Sequence, residues 1–465
     1  MSCAGAAYSS PALRASSEKA NSECYTSPMF RRFLFCTLLL ALGSFAASAQ
    51  ERAQQEQELE RQGYAKASAG NWAAAIADYD AALGISPRDL GAEIGLAQAY
   101  RGVHNYDEAK RVLERARTDH PQSAKPLAAF GDLEIELQTY DAAIAHLRAA
   151  LALAPSDVES RNRLAVAYQA KGDLDSALGQ IAKVLARDPK NALAYYTRAK
   201  IHSDRNQDAA ALPDAMKVVE LQPQNARGRL LLGKILLRAP RGEGPEQTKE
   251  RCRRAVAMLE PLLQVSAGDS ETLFLLSRAY ECAGASELAQ KTLAAFEASS
   301  KNDREAKENQ TQAKHLVQQA NELALKNDFA GSLDLLQQAI AKDATYGAAY
   351  SQLAKLYYSA GDIDKASEAI LQALERDPYQ PDFLYVQGKI FEKQGRLDEA
   401  LSAFQRTTIV NPKESDAFFE MGAIYEQRGE RERALAAYKK AATLSPDDPE
   451  YQRAREALSG KGARP

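Results

Sequence analysis

Small and apolar positions recur along this chain with a period of 34 residues, and prolines mark the same period. The prolines lie at positions 87, 121, 155, 189 and 223, and the same 34-residue spacing recurs at positions 378, 412 and 446. Self-similarity at a fixed period of this size is the signature of a repeat architecture. The pattern therefore predicts many copies of one short unit rather than a few ordinary domains.

Each copy has the pattern of two helices joined by a tight turn. Aligned on the prolines, the eighth and twentieth positions are small, as in Gly388 and Ala400, and larger residues follow at positions eleven and twenty-four, as in Phe391 and Phe404. Small residues let two helices approach closely. A glycine such as Gly395 ends the first helix in a left-handed conformation. The unit is therefore predicted to be an antiparallel helix pair.

The order small-x2-aromatic, Gly-polar, Ala-x3-aromatic and Pro resembles the tetratricopeptide repeat family. Eleven copies are in register, at residues 56–89, 90–123, 124–157, 158–191, 192–225, 226–269, 270–303, 313–346, 347–380, 381–414 and 415–448. The resemblance implies an all-α fold, a right-handed superhelical α-solenoid of antiparallel helix pairs. It also implies a concave groove, lined by the first helices, that holds a peptide or a partner helix.

Departures from the period divide the predicted array. Copy six is ten residues too long, and its run of Pro and Gly predicts a loop insertion at residues 239–254. Pro213 in the second helix of copy five is expected to kink or shorten that helix. The expected organisation begins with an N-terminal array of seven repeats (residues 50–300) and a polar linker or helical extension (301–312). A C-terminal array of four repeats (313–448) and a capping helix with a tail (449–465) follow.

The N-terminal residues have the layout of an export signal. Residues 1–28 are interpreted as a disordered extension or an incorrectly assigned start, because a signal peptide pattern begins at Met29 and runs over residues 29–49. Two arginines precede an apolar core, and Ala47 and Ala49 supply the small-x-small cleavage pattern. An exported protein, bacterial periplasmic or secreted, is expected. The alternative is an inner-membrane anchor formed by residues 33–50, which lies at the lower length limit for spanning.

Composition and motifs argue against several classes of function. The net charge of −3 gives no basic footprint for nucleic acid. The five histidines have no metal-ligand spacing, and no block outside the repeats is long enough for a catalytic domain. We therefore predict a protein that is not an enzyme, with no catalytic residue, no cofactor and no metal. Its oligomeric state stays open.

Candidate partner-binding residues lie at the groove-facing positions that the family resemblance implies. They are aromatic or cationic side chains at non-core positions, namely Tyr196, Lys200, Arg227, Lys234, Lys355, Tyr358, Tyr385, Lys389, Lys393 and Phe419. Aromatics beside cations favour an acidic or aromatic-bearing peptide. The competing interpretation is that these are ordinary exposed residues.

The expected function is a scaffold that binds other proteins or peptides, in envelope assembly, secretion or export. The alternative is a regulatory or targeting subunit of an enzyme complex. A basic cluster beside the insertion is a candidate for peripheral contact with a membrane or with an acidic partner, or is simply a solvated face; its members are Arg238, Arg241, Lys249, Arg251, Arg253 and Arg254.

Two cysteines, Cys252 and Cys282, follow the expected cleavage point. One begins the second helix of copy six and the other lies near the end of the first helix of copy seven. Those ends are neighbours in stacked helix pairs. A disulfide between them is one prediction for an oxidising compartment, and two free buried thiols are the other.

Overall fold

The computed structural model describes residues 50–238, 243–266 and 268–460. Within those ranges the chain is all-α, with no strand, and successive helices form antiparallel pairs. The helices, numbered in chain order, are α1 (residues 50–68), α2 (Trp72–Ile85), α3 (Leu90–Gly102), α4 (Tyr106–Asp119), α5 (Lys125–Glu136), α6 (Tyr140–Leu153), α7 (Val158–Lys171), α8 (Leu174–Arg187), α9 (Ala192–Asp204), α10 (Asp208–Leu221), α11 (Ala226–Leu237), α12 (Pro245–Leu259), α13 (Ser270–Ala283), α14 (Ser286–Leu325), α15 (Phe329–Lys342), α16 (Gly347–Ser359), α17 (Ile363–Arg376), α18 (Pro381–Lys393), α19 (Leu397–Val410), α20 (Ser415–Gln427), α21 (Arg431–Leu444) and α22 (Pro449–Gly460). A 3-10 helix, Glu260–Gln264, follows α12.

Two compact units divide the chain, one ending at Gly95 and the other beginning at Leu96. In the first unit, the Tyr79 ring of α2 lies against Gly63 of α1. In the second unit each helix from α4 onward packs on the next one along the chain, and α22 covers the last pair with buried Tyr451 and Leu458. The α-solenoid of helix pairs expected from the repeat is thus observed.

Small residues sit at the helix crossings, as the repeat predicted. Gly388 faces the ring of Phe404, and Gly422 faces the ring of Tyr438. The alanine at the twentieth position is fully buried in successive copies, for example Ala366 and Ala400. A larger residue at these positions would hold the two helices apart, so the column of small side chains follows from the packing.

In ten of the eleven copies, the described turn inside the helix pair has one residue in the left-handed region. Glycine takes it in several copies, such as Gly172 with φ +90°. His104, Gln138, Asn206 and Asn327 take the same turn with φ near +60°. Such a conformation is unusual for residues with a Cβ. Copies without the glycine therefore keep the turn because packing of the two helices determines it.

The polar stretch between the two predicted arrays is helical. A single helix of 40 residues, α14, combines the second helix of copy seven with the first helix of copy eight. Residues 301–308 are exposed on every side. The chain is polar there, and its contacts are polar: Lys301 pairs with Glu305 at 3.5 Å within the helix, and Ser270 of α13 donates a hydrogen bond to Asp303 at 2.6 Å.

Two details differ from expectation. The predicted loop at residues 239–254 is shorter, because α12 already begins at Pro245; proline suits the first helical position, and Gln247 accepts a hydrogen bond from the Gly244 amide. Residues 239–242 lie outside the described ranges. Helix α10 is not shortened by Pro213 and has the same 14 residues as α8. Packing on its neighbours offsets the lost backbone hydrogen bond.

Cys252 and Cys282 are joined by a disulfide that links α12 to α13, with their Cα atoms 5.8 Å apart. This separation is ordinary for a disulfide. The predicted extension at residues 1–28, the signal peptide at 29–49 with Ala47 and Ala49, and nearly all of the alternative anchor lie outside the described residues. In the part of the chain that is described, no helix has the length and apolarity needed to cross a bilayer.

Candidate partner-binding face

The ten candidate side chains lie on the first helices of five copies. We call them the first-helix face: Tyr196 and Lys200 on α9, Arg227 and Lys234 on α11, Lys355 and Tyr358 on α16, Tyr385, Lys389 and Lys393 on α18, and Phe419 on α20. All belong to the second compact unit. The repeat explains this placement, because equivalent positions of stacked copies point the same way.

Tyr385, Lys389 and Glu420 form one polar cluster between adjacent copies. The Lys389 Nζ atom lies 2.8 Å from Glu420 Oε1 and 2.7 Å from Glu392 Oε2. The Tyr385 hydroxyl donates to Glu420 Oε1 at 3.3 Å, and its ring packs on that of Phe404. Tyr385 is therefore held by both an apolar and a polar contact rather than standing free at the surface.

Burial and charge in this cluster have opposite effects on the lysine. Burial disfavours the Lys389 charge, but the hydrogen bonds and charges of Glu392 and Glu420 outweigh it and raise the pKa of Lys389. Burial, with the negative charge of Glu420 beside it, raises the pKa of Tyr385 far above its ordinary value. At neutral pH the cluster holds a charged Lys389 ammonium and a neutral Tyr385 phenol.

The same pairing recurs at other copies. Lys355 lies 2.6 Å from Asp382, and Lys234 lies 2.6 Å from Glu271, in each case on the first helix of the next copy. The register is regular: the lysine is at position nine and the acid at position two or six of the following copy. Three of the cations that the sequence suggested for an acidic partner, Lys234, Lys355 and Lys389, are therefore already paired with acids of the same chain.

The remaining candidates have varied environments. Lys200 pairs within its own helix with Asp204 at 3.1 Å. Tyr196 and Tyr358 are half-buried against apolar clusters, whereas Arg227 and Lys393 are exposed.

Phe419 packs against Tyr438 of α21 and Tyr451 of α22, with ring centroids 5.4 and 4.9 Å away. It helps to seat the capping helix.

The basic cluster beside the insertion is also paired with acids of the same chain. Arg238 contacts Asp208 at 3.0 Å and Arg251 contacts Glu243 at 2.8 Å. Arg253 lies 3.0 Å from Glu250. This pairing reduces the positive charge that these three arginines offer to an outside surface.

Comparison with known proteins agrees with this architecture. Profiles described as "Tetratricopeptide repeat" match residues 66–129 and 134–201 in the N-terminal part, and residues 317–381, 351–408 and 385–449 in the C-terminal part. The chain is a tetratricopeptide repeat protein. The two sets of matches lie on both sides of the irregular copies at 226–303.

Similarity to individual tetratricopeptide repeat proteins is local or distant. "DnaJ homolog subfamily C member 3" of Bos taurus is 39% identical over 83 residues, which is 18% of this chain and 16% of that protein. The protein of the same name from Homo sapiens is 37% identical over 83 residues, again 18% and 16%. The chain thus spans less than a fifth of the length of these relatives.

A solved structure, the APC/C hetero-tetramer Cut9–Hcn1, aligns over 87% of this chain and 96% of that chain, with 12% identity and a TM-score of 0.30.

The acids that pair with the lysines of the first-helix face are not among the residues that the sequence predicted to bind a partner. Glu420, Asp382 and Glu271 lie at position six or two of their copies. The sequence signal that could have found these acids is their repeat position: a lysine at position nine is followed by an acid at position two or six of the next copy. The face consequently offers aromatic edges, paired charges and two exposed cations, which suits noncovalent binding. Among the described residues, no group of three or more His, Cys, Asp or Glu side chains is placed to hold a metal.

Proposed function

We propose that this chain is a non-enzymatic scaffold that binds another protein, or a peptide segment of one, along its first-helix face. The observation that carries the proposal is the cluster of Tyr385, Lys389 and Glu420, which places an aromatic ring beside a paired charge on a helix of the C-terminal array. Interfaces draw much of their binding energy from such aromatic anchors surrounded by polar contacts.

The partner is expected to bring both carboxylate and apolar side chains. Lys393 and Arg227 are exposed cations available to carboxylates. The paired lysines Lys355 and Lys389 can exchange an intrachain acid for an acid of the partner at little cost in charge. An acidic segment with interspersed apolar residues matches this arrangement better than a purely acidic one.

We further propose that the protein is exported and acts in envelope assembly, secretion or export. The signal pattern at residues 29–49 and the disulfide between Cys252 and Cys282 support this, because disulfides persist mainly in oxidising compartments. Mass determination of the protein from its native host tests export: a mature chain beginning at Gln50 is expected, and a chain retaining residues 33–49 would contradict cleavage.

Binding is tested by comparing three forms of the chain on native-host extract. Wild type, a first-helix variant (Tyr358→Ala with Lys393→Glu) and a control variant on a second helix (Lys439→Glu) are immobilised, and the retained proteins are identified. The first-helix variant is expected to lose, by tenfold or more, a protein that wild type and control retain equally. Equal retention by all three forms would refute the proposed face. A stoichiometric enzyme among the lost proteins would favour a targeting subunit.

A further inference from the structure

The turn between α3 and α4 lies against the C-terminal end of α19, far along the chain but within the same compact unit. Asn105 Nδ2 donates to the backbone oxygen of Ile409 at 2.7 Å, across a sequence separation of 304 residues. Beside it, Lys413 Nζ lies 3.1 Å from Asp107 Oδ2. These two contacts connect copy two with copy ten.

Asn105 uses both ends of its amide. Its Oδ1 atom accepts from the Glu108 amide at 3.3 Å and so caps the N-terminus of α4. Its NH2 group is left to donate elsewhere. The acceptor it finds is one of the last carbonyls of α19, which lack partners inside their own helix. Each end of the contact thus satisfies a polar group that secondary structure leaves unpaired.

Comparison of equivalent positions shows that the long-range contact buries Asn105. Its side chain is only 5% exposed. The residue at the same turn position is exposed in five other copies of this unit, namely Thr139, Asp173, Gln207, Asp328 and Arg396, and half-buried in three, namely Ala285, Asp362 and Glu430. It is fully buried in none of these copies, so the full burial of Asn105 comes from the end of α19.

We propose that Asn105, Asp107, Ile409 and Lys413 form a reversible clasp that limits the curvature of the array between copies two and ten. Small rotations at successive repeat interfaces add up along an array. A change of curvature anywhere between the two ends therefore alters their separation, and the closed clasp opposes it. Every residue of the first-helix face except Phe419 lies on the copies that the clasp spans.

The clasp is weak enough to open. One neutral hydrogen bond favours a closed state by roughly a factor of ten. The ion pair adds little, because its side chains are 77% and 76% exposed. A partner that fits a different curvature can therefore open the clasp and lose only a modest part of its affinity.

Asn105→Asp separates the two roles of the side chain. Aspartate caps the equivalent helices, as Asp173 and Asp328 do by accepting from backbone amides. It cannot donate to Ile409, and its charge faces the carbonyl oxygen. Thr139→Asp is the matched control, because it makes the same charge change at the same repeat position where the side chain is exposed.

A zero-length carbodiimide cross-link between Lys413 and Asp107 in the full chain reports closure. In wild type and Thr139→Asp, the linked peptides are expected in the monomeric fraction. Loss of a factor of about ten in the ratio of closed to open clasp leaves about half of the molecules closed, so Asn105→Asp is expected to reduce the yield about twofold. Asn105→Ser, which keeps a capping oxygen and removes the amide NH2 group that reaches Ile409, serves if the aspartate variant does not fold. The proposal is overturned if wild type gives no such link, if the link occurs only in covalent dimers, or if the Asn105 variants match wild type.

Discussion

The ring of Phe404 occupies the space that a side chain at Gly388 would need. A Cβ atom placed on Gly388 would lie 2.5 Å from Phe404 Cε1, and the ring is fully buried. Gly388→Ala should therefore lower the free energy of unfolding by about 1–3 kcal/mol, the usual cost of overpacking. Urea unfolding followed by circular dichroism measures it.

A matched control for this substitution is Gly179→Ala in α8. Gly179 is also helical, but nothing lies within 4 Å of its Cβ position. Alanine there should stabilise the protein by about 0.5–1 kcal/mol, since glycine is a poor helix former. If both substitutions had the same effect, close packing at Gly388 would not be the reason for the small residue.

The Lys389–Glu420 pair should couple more strongly than a similar exposed pair. Its side chains are 26% and 15% exposed, whereas those of Lys355–Asp382 are 38% and 48% exposed. Double-mutant cycles with alanine are expected to give about 1–2 kcal/mol for the first pair and about 0–1 kcal/mol for the second. Equal values, or equal weakening by salt, would show that partial burial of Glu420 adds nothing.

Stability of the first unit should fall as pH rises through neutrality. Burial, together with a hydrogen bond to Asp89 and its charge, raises the pKa of Glu60 to about 7 from an ordinary 4.5. The folded unit thus holds a proton that the unfolded chain releases earlier. The stabilisation is present below about 4.5 and is lost as pH rises through about 7, by roughly 1 kcal/mol after allowance for solvent screening.

Trp72, the only tryptophan of the chain, lies in this unit and its fluorescence reports unfolding there. Glu60→Gln should remove most of the pH dependence between pH 5 and pH 8. Glu58→Gln is the control, since the hydrogen bond from Arg61 lowers the pKa of Glu58 to about 2, outside this window. An unchanged pH profile in Glu60→Gln would exclude Glu60 as the source.

Unreduced mature protein should contain no free thiol at Cys252 or Cys282. The bond closes a loop of 30 residues between α12 and α13. Reduction, or the double substitution to serine, should lower the free energy of unfolding by about 2–4 kcal/mol. Thiol titration of denatured, unreduced protein checks the bond, and two reactive thiols would mean that it does not form in the cell.

The exposed middle of α14 should exchange its amide hydrogens faster than either end. Residues 301–308 are exposed, whereas Ala289 and Val317 in the same helix are buried. Local opening is easiest where buried apolar contacts are few. Hydrogen exchange read by mass spectrometry should show the least protection there, and Glu305→Pro should deprotect this stretch while leaving α16 unchanged. Uniform protection along α14 would contradict this.

Much of the fold could be predicted because the repeat encodes it locally. Small residues such as Gly388 and Ala400, with Phe404 at its fixed interval, specify how two helices of one copy cross. Each copy contacts mainly its neighbours, so one period predicts the whole array. The candidate face was less predictable. The sequence located Tyr385 and Lys389 on first helices, but the acid that pairs with Lys389 belongs to the next copy.

By itself the sequence determined the helix pairs, their number in register, and which positions are core. Period and side-chain size suffice for that, because those contacts are short in sequence. Only the tertiary structure decided that the polar stretch continues as one helix through α14, that the lysines of the first-helix face are paired, and that Asn105 reaches Ile409. These outcomes depend on contacts between different copies. The contact from Asn105 to Ile409 joins copies that are eight apart, and no local sequence pattern predicts a contact at that distance along the chain.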